Sequence, residues 1–75
     1  MTADELRQLI QESVPDALVN VQSEDNVHFD AMVVSEIFEG KSRVARHQSI
    51  YAILGERLGN EIHAFSLRTL TPNEQ

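Results

Sequence analysis

The spacing of the apolar residues changes at Pro15, and this change limits the fold more than any other feature of the sequence. Before Pro15 the apolar residues repeat at the spacing of an amphipathic helix: Leu6, Leu9, Ile10 and Val14. Thr2 and Glu5 are placed as in a capping box, so we predict a helix over Ala3–Ser13. The helix must end at Pro15, because the residue before a proline is disfavoured in the helical region.

After Pro15 the apolar residues recur at every second position, which is the period of a half-buried strand. The first such run is Ala17, Val19 and Val21, and the second is Val27, Phe29, Ala31 and Val33. The polar stretch SEDN between them is short enough for a turn, so the two strands are predicted to form an antiparallel hairpin. The residues on the opposite face of the second strand are His28, Asp30, Met32 and Val34.

The second half of the sequence predicts one more helix and one more strand. We expect Gly40 to let the chain leave the sheet and Ser42 to cap the helix. Gly59, followed by Asn60, is the expected stop. The helix is predicted to pack on the sheet through one stripe: Val44, His47, Ile50, Tyr51, Leu54 and Leu58. Period two then returns in a last strand that ends before Pro72, with one face made of His63, Phe65 and Leu67.

The predicted order of elements is therefore helix, two strands, helix and strand. A chain of 75 residues without cysteine can hold one modest core and no disulfide, so all the elements must share that core. We predict a three-stranded sheet with the helices packed on one face. The residues expected in the core are Phe29, Val33, Leu54, Phe65 and Leu67.

The charge balance argues against nucleic acid as the main ligand. Twelve acidic and six basic residues give a net charge of −6, which opposes the counterion release that drives most nucleic-acid binding. Some of the basic residues are nevertheless concentrated in one short segment. This local basic patch consists of Lys41, Arg43, Arg46 and His47.

Several function classes are excluded by what the sequence lacks. Without cysteine there is no thiolate nucleophile, and a metal would need histidine or carboxylate ligands, or ligands from a partner. There is no nucleophile elbow, no paired histidine motif and no glycine-rich phosphate loop, so we do not expect an enzyme. No apolar run is long enough for a membrane span and the N-terminus lacks a secretory pattern, so we expect a soluble, cytoplasmic protein.

The three histidines are the remaining candidates for chemistry. His63 begins the last alternation, where it is either a partly buried residue at the edge of the core or a ligand with an open ring nitrogen. His28 lies on the polar face of the second strand, which is typical of a solvent-exposed residue. His47 lies on the helical stripe beside Arg46 and is typical of a core-edge residue with a solvated ring nitrogen. The pattern alone leaves these alternatives open.

Three segments occur in an order and spacing that resemble one protein family. They are VVS at the end of the second strand, FEGKSRVARHQSIY through the turn into the helix, and IHAFSLRTLTP at the end. The chain resembles the BolA family and, within it, most closely the IbaG (YrbA-type) branch, over nearly its whole length. The resemblance implies a single α+β domain over residues 1–75 with the order αββαβ, similar to a class II KH fold.

The resemblance also implies a function. BolA-like proteins are non-enzymatic partners of monothiol glutaredoxins, and the two proteins share a [2Fe–2S] cluster. The glutaredoxin contributes a cysteine, glutathione contributes a thiolate, and the BolA-like partner contributes nitrogen ligands. The implied role is in cluster trafficking or in sensing iron, redox state or acid stress, with no cluster expected in the isolated protein.

The family's ligand pattern transfers only in part to this sequence. The histidine of the I-H-A motif is the family's most dependable ligand, and here it is His63. The second ligand usually comes from the loop between the first two strands, but SEDN contains neither cysteine nor histidine. His28, just past the turn, is the nearest substitute, and Asp25 is the alternative as an oxygen ligand.

BolA proteins are also described as transcriptional regulators, which places a second hypothesis beside the first. In that hypothesis the KH-like surface and the basic turn bind DNA weakly through Lys41, Arg43, Arg46 and His47. A third hypothesis is an interaction module that docks a partner without any cluster. The free protein is expected to be a monomer, with a homodimer as the alternative.

Overall fold

The first helix, α1 (Ala3–Ser13), has the predicted boundaries in the computed structural model, which describes all 75 residues. Thr2 Oγ1 accepts a hydrogen bond from the Glu5 backbone N–H at 3.1 Å, and Glu5 Oε1 accepts one from the Thr2 backbone N–H at 2.9 Å. This capping box satisfies donors that the start of a helix leaves unpaired. Leu6 and Ile10 on the inner face of α1 are fully buried.

Three strands form one sheet in the order β1-β2-β3, with the bounds β1 (Leu18–Gln22), β2 (His28–Val34) and β3 (Ala64–Leu70). β1 and β2 form the predicted antiparallel hairpin, in which Val19 lies opposite Val33. β3 runs parallel to β2, and Phe29 lies opposite Phe65. A parallel neighbour requires a long crossover connection, and this connection contains the second helix, α2 (Arg43–Leu54).

The core lies between one face of the sheet and the two helices. Its buried residues are Leu6, Ile10, Val14, Ala17, Val19, Phe29, Ala31, Val33, Phe38, Ile50, Leu54, Ile62 and Leu67. The alternate strand positions are mostly exposed, including Asn20, His28, Asp30, Ser66 and Arg68. The helices therefore cover one face of an α+β sheet, as predicted. Of the predicted core residues, only Phe65 is not fully included, because it is half-buried at the margin.

The second helix begins as predicted but ends earlier. Ser42 caps it, because the Ser42 Oγ accepts a hydrogen bond from the Ala45 backbone N–H at 3.1 Å. The helix ends at Leu54, and the prediction that it continues to Gly59 is wrong. The physical reason is Gly55, whose φ of +56° favours glycine and is incompatible with a right-handed helix.

The buried stripe of α2 is also rotated from the predicted one. Ile50 and Leu54 are fully buried, whereas Val44 is 66% exposed and Tyr51 is 40% exposed. Successive residues of a helix are rotated by roughly 100° about its axis. Ile50 with Leu54 and Val44 with Tyr51 therefore lie on neighbouring stripes that have the same helical period. Packing of α2 against α1 and β3 selects the stripe with Ile50 and Leu54. Because both stripes have the same period, the apolar pattern of the sequence does not predict which of them is buried.

The longer of the two α-helices, α2, has 12 residues. No helix of the protein combines the length and the hydrophobicity that are needed to cross a membrane.

Candidate functional site

His28 and His63 lie at the same end of the sheet. In the parallel ladder His28 is paired with Ala64, and the Ala64 backbone N–H donates to the Val27 carbonyl at 3.3 Å. His63 immediately precedes Ala64, and neighbouring strands are about 4.8 Å apart. The tertiary fold therefore places two histidines that are far apart in the chain at one end of the sheet.

His63 is exposed, although its backbone lies beside an anchored segment. Ile62, the residue before it, is 1% exposed, and the Ile62 backbone is hydrogen-bonded to Arg57 at 2.9 Å and to Gly59 at 2.8 Å. The His63 side chain lies outside the core. Packing therefore does not explain this histidine, and its ring is available to a partner.

His28 is held by a carboxylate. The His28 Nδ1 lies 2.7 Å from the Asp25 Oδ2, while 70% of the His28 side chain remains exposed. The other oxygen of Asp25, Oδ1, accepts the backbone N–H groups of His28 at 2.9 Å and Val27 at 3.0 Å. The hydrogen bonds from the His28 backbone, the His28 ring and the Val27 backbone hold the pKa of the Asp25 carboxyl well below its usual range.

The turn that carries Asp25 is itself internally bonded. The Ser23 hydroxyl accepts the Asn26 backbone N–H at 3.0 Å and donates to the His28 carbonyl at 2.6 Å. Asn26 adopts a φ of +59°, a left-handed conformation that asparagine tolerates better than most residues. These contacts fix the path of the chain from Ser23 into β2, and with it the base of the His28 side chain.

His28 and His63 are the two histidines at this end of the sheet, and they do not form a complete metal site. No group of three or more histidine, aspartate or glutamate side chains is placed to hold a metal ion. Imidazole nitrogens are good ligands for iron, and an exposed pair of them can complete a centre whose other ligands come from a partner. The third histidine, His47, lies on α2 and not at the end of a strand.

A second polar feature is a cavity of about 460 Å³ beside the N-terminal part of α2. Its basic lining residues are Lys41, Arg43, Arg46, His47 and Arg68. The first four are the predicted basic patch, and Arg68 was missed. An arginine on a strand carries no local sequence signal that it will line a cavity beside a helix, so only the parallel docking of β3 could reveal it.

Arg46 differs from the other basic residues because it is bound to Glu74. Its Nη1 and Nη2 donate to the two Glu74 carboxylate oxygens at 2.6 and 3.2 Å, and its Nε donates to the Lys41 carbonyl at 3.0 Å. The Arg46 side chain is only 13% exposed. The Arg46 guanidinium, with help from the Thr71 backbone N–H, lowers the pKa of Glu74 to about 2.

His47 begins a row of aromatic rings that leads from α2 to β3. The His47 and Tyr51 rings are 6.0 Å apart and the Tyr51 and Phe65 rings are 6.4 Å apart, both in edge-to-face geometry. Burial lowers the pKa of His47, and the nearby charge of Arg43 adds to this effect. The row ends two residues after His63, so an exposed aromatic and aliphatic surface adjoins the sheet end.

Comparison with known proteins places the chain among BolA-like proteins. The family model described as "BolA-like protein" matches residues 3–74. The acid stress protein IbaG of Escherichia coli is 43% identical over 53 residues, which cover 69% of this chain and 63% of that protein. The DNA-binding transcriptional regulator BolA of Haemophilus influenzae is 45% identical over 47 residues, which cover 63% of this chain and 46% of that protein.

The fold has a close counterpart among solved structures. A BolA protein homologue from Coxiella burnetii superposes with a TM-score of 0.86 at 35% identity, over 99% of this chain and 95% of that chain. The matched segment nevertheless spans less than two thirds of the two named relatives from Escherichia coli and Haemophilus influenzae. Their activities and partners are therefore a basis for proposals about this chain.

Proposed function

Because the chain belongs to the BolA family, as its match over residues 3–74 shows, we propose that it is a non-enzymatic partner of a monothiol glutaredoxin. The two proteins share a [2Fe–2S] cluster, for which this chain supplies His63 and His28 as nitrogen ligands. The observation that carries the proposal is the exposed ring of His63 beside the anchored backbone of Ile62. A ligand for a partner's metal must be reachable and must stand on a rigid support.

The donor set fits a shared cluster. The chain has no cysteine, so the thiolates must come from the glutaredoxin and from glutathione. Histidine in place of thiolate on one iron raises the reduction potential of a [2Fe–2S] centre, as in Rieske centres. Because a ligating imidazole must be deprotonated, the binding is weakened by acid. This property suits cluster transfer and the sensing of acid or iron.

The partner's docking surface is the exposed apolar face next to the histidines. Val44 and Tyr51 are exposed on α2, and Tyr51 contacts Phe65, which lies on β3 two residues after His63. Exposed apolar patches that adjoin a functional group are typical of protein interaction sites. A glutaredoxin seated there would meet His63 at the edge of its contact.

The test is the visible absorption and circular dichroism of this protein copurified with a monothiol glutaredoxin and glutathione without oxygen. The wild-type complex should have a mixed-ligand spectrum, and His63→Ala should revert to the spectrum of the glutaredoxin homodimer. Glu61→Gln changes an exposed residue of the same segment and should leave the spectrum unchanged. An unaltered spectrum for His63→Ala, in a complex confirmed by its mass, would contradict the proposal.

A second candidate function is DNA binding, which is supported by the cavity beside α2 and by the name of the Haemophilus influenzae relative, a DNA-binding transcriptional regulator. Lys41, Arg43 and Arg68 are the phosphate contacts in this candidate, because Arg46 is bound to Glu74. The net charge of −6 opposes it. We therefore expect duplex DNA to bind with a Kd of about 10⁻⁴ M or weaker at physiological salt.

Fluorescence anisotropy with labelled duplex DNA at about 150 mM salt measures this affinity. The double variant with Lys41→Ala and Arg43→Ala should bind DNA more weakly than the wild type. The control is Arg57→Ala, which changes an exposed arginine outside the cavity. Tight binding of one DNA sequence that is lost only with Lys41 and Arg43 would favour the regulator over the cluster partner.

A further inference from the structure

We propose that Asp25 is a positioning residue, which holds the His28 ring with its hydrogen on Nδ1 and leaves the Nε2 lone pair facing outward for iron. The inference rests on the proposed function for the metal that His28 would bind, whereas the contact between Asp25 and His28 does not depend on that function. In this role Asp25 supports the His28 ring through a hydrogen bond and does not itself bind the metal as an oxygen ligand.

The short contact between the two side chains determines where the hydrogen lies. An ionised carboxylate can only accept hydrogen bonds, so the His28 Nδ1, at 2.7 Å from Asp25 Oδ2, must be the donor. A neutral imidazole carries a single N–H, and the lone pair is therefore on Nε2. The turn itself favours the carboxylate form of Asp25, because Oδ1 accepts two backbone N–H groups.

The carboxylate is held in place by the backbone that it caps. Asp25 Oδ1 accepts the backbone N–H groups of Val27 and His28, and the Ser23 hydroxyl lies 3.5 Å away. Rotating the carboxylate toward a metal would break two backbone hydrogen bonds as well as the contact to the ring. This geometry makes Asp25 a poor ligand and a firm support for His28.

This arrangement matches the way in which proteins tune metal-binding histidines. A carboxylate behind the imidazole fixes the tautomer and ring orientation and raises the basicity of the ligating nitrogen. The effect is large for His28 because 70% of its side chain is exposed and little else restrains the ring. Ordering the ring in advance also lowers the entropy lost when the shared cluster forms.

The first experiment measures the tautomer in the free protein, without any cluster. Long-range ¹H–¹⁵N correlation spectra at about pH 8.5, where an ordinary histidine is neutral, report which ring nitrogen carries the hydrogen. We expect Nδ1–H for His28 in the wild type. An Nε2–H tautomer would overturn the inference whatever the protein binds.

Asp25→Asn is the informative variant. The asparagine oxygen can still accept the Val27 and His28 backbone N–H groups, so the turn is preserved, but its NH₂ group faces Nδ1 as a donor. The His28 hydrogen should therefore move to Nε2, which removes the outward lone pair. Asp25→Ala releases the ring and should give a mixture of the two tautomers.

The second experiment measures the lifetime of the shared cluster in the complex with glutaredoxin and glutathione, after an iron chelator is added. Asp25→Asn should shorten the lifetime by about 10- to 100-fold, which is the usual effect of losing such a support, and should resemble His28→Ala. Glu24→Gln removes the same charge from the neighbouring exposed position and should have no effect.

The outcomes separate this inference from the proposed function. If His63→Ala leaves the spectrum of the complex unaltered, the proposed function fails. If His28→Ala shortens the cluster lifetime but Asp25→Asn, with its tautomer shifted, does not, the inference about Asp25 fails and the proposed function stands.

Discussion

At the scale of single residues, the two histidines of the sheet end differ in how they are held. His63 has an exposed ring and follows Ile62, a residue buried in the core. His28 has an exposed ring whose Nδ1 is bound to Asp25. One histidine is thus positioned by the backbone and the other by a side chain, so substitutions near them should have different effects.

His63→Ala should separate function from stability. Because the His63 ring is exposed, its removal should change the free energy of unfolding by less than about 0.5 kcal/mol. Ile62→Ala, at the preceding position, removes a buried side chain and should cost about 2–5 kcal/mol. Urea denaturation followed by circular dichroism measures both, and equal losses for the two variants would contradict the exposed placement of His63.

At the scale of elements, α2 is attached to the C-terminal turn by the Arg46–Glu74 pair. The two parallel hydrogen bonds join α2 to the 3₁₀ turn Pro72–Glu74, which follows β3. The Thr71 backbone N–H also donates to Glu74 Oε1 at 2.8 Å. One carboxylate therefore holds together the helix and the end of the sheet.

This pair predicts a pH dependence of stability. The pKa of Glu74 is lowered from 4.5 to about 2 in the folded protein, so its contribution is present above pH 4.5 and is lost as the pH falls through about 2. The urea midpoint of the wild type should fall more steeply over this range than that of Glu74→Gln. Glu12→Gln, which changes an exposed residue of α1, should keep the wild-type slope.

At the scale of the whole molecule, stability depends on one core shared by both helices and all three strands. Phe29 of the central strand β2 is 2% exposed, and its partner across the ladder, Phe65, is only half-buried. The core side of the sheet is therefore fully covered at the central strand β2 and only partly covered at the edge strand β3. That edge is where the exposed surface of α2 begins.

Phe29→Ala and Phe65→Ala should therefore differ in cost. Removing the Phe29 ring should lower the free energy of unfolding by about 3–5 kcal/mol, a large part of the stability of so small a protein. Phe65→Ala should cost clearly less, because part of its ring is already in water. The midpoints of guanidinium-induced unfolding of the two variants measure this difference. A larger loss for Phe65→Ala than for Phe29→Ala would contradict the partial exposure of Phe65.

Much of this protein could be predicted from local sequence patterns. The bounds of α1, the Ser42 cap and the β1–β2 hairpin follow from spacings and hydrogen bonds within a few residues, and all are confirmed. The resemblance to the BolA family, which is confirmed, also predicted the fold class. His63 could be singled out because its motif is local, although its role as a ligand stays a prediction.

The remaining features depend on contacts between distant residues, which no local period encodes. The sequence by itself determined where the helices begin, which residues alternate and which few side chains could bind a metal. Only the tertiary structure decided which stripe of α2 is buried, that Arg46 is bound to Glu74, and that His28 lies beside Ala64. The physical reason is that spacing constrains neighbours in the chain, whereas the register of parallel strands and the choice among similar helix faces are selected by packing in the shared core.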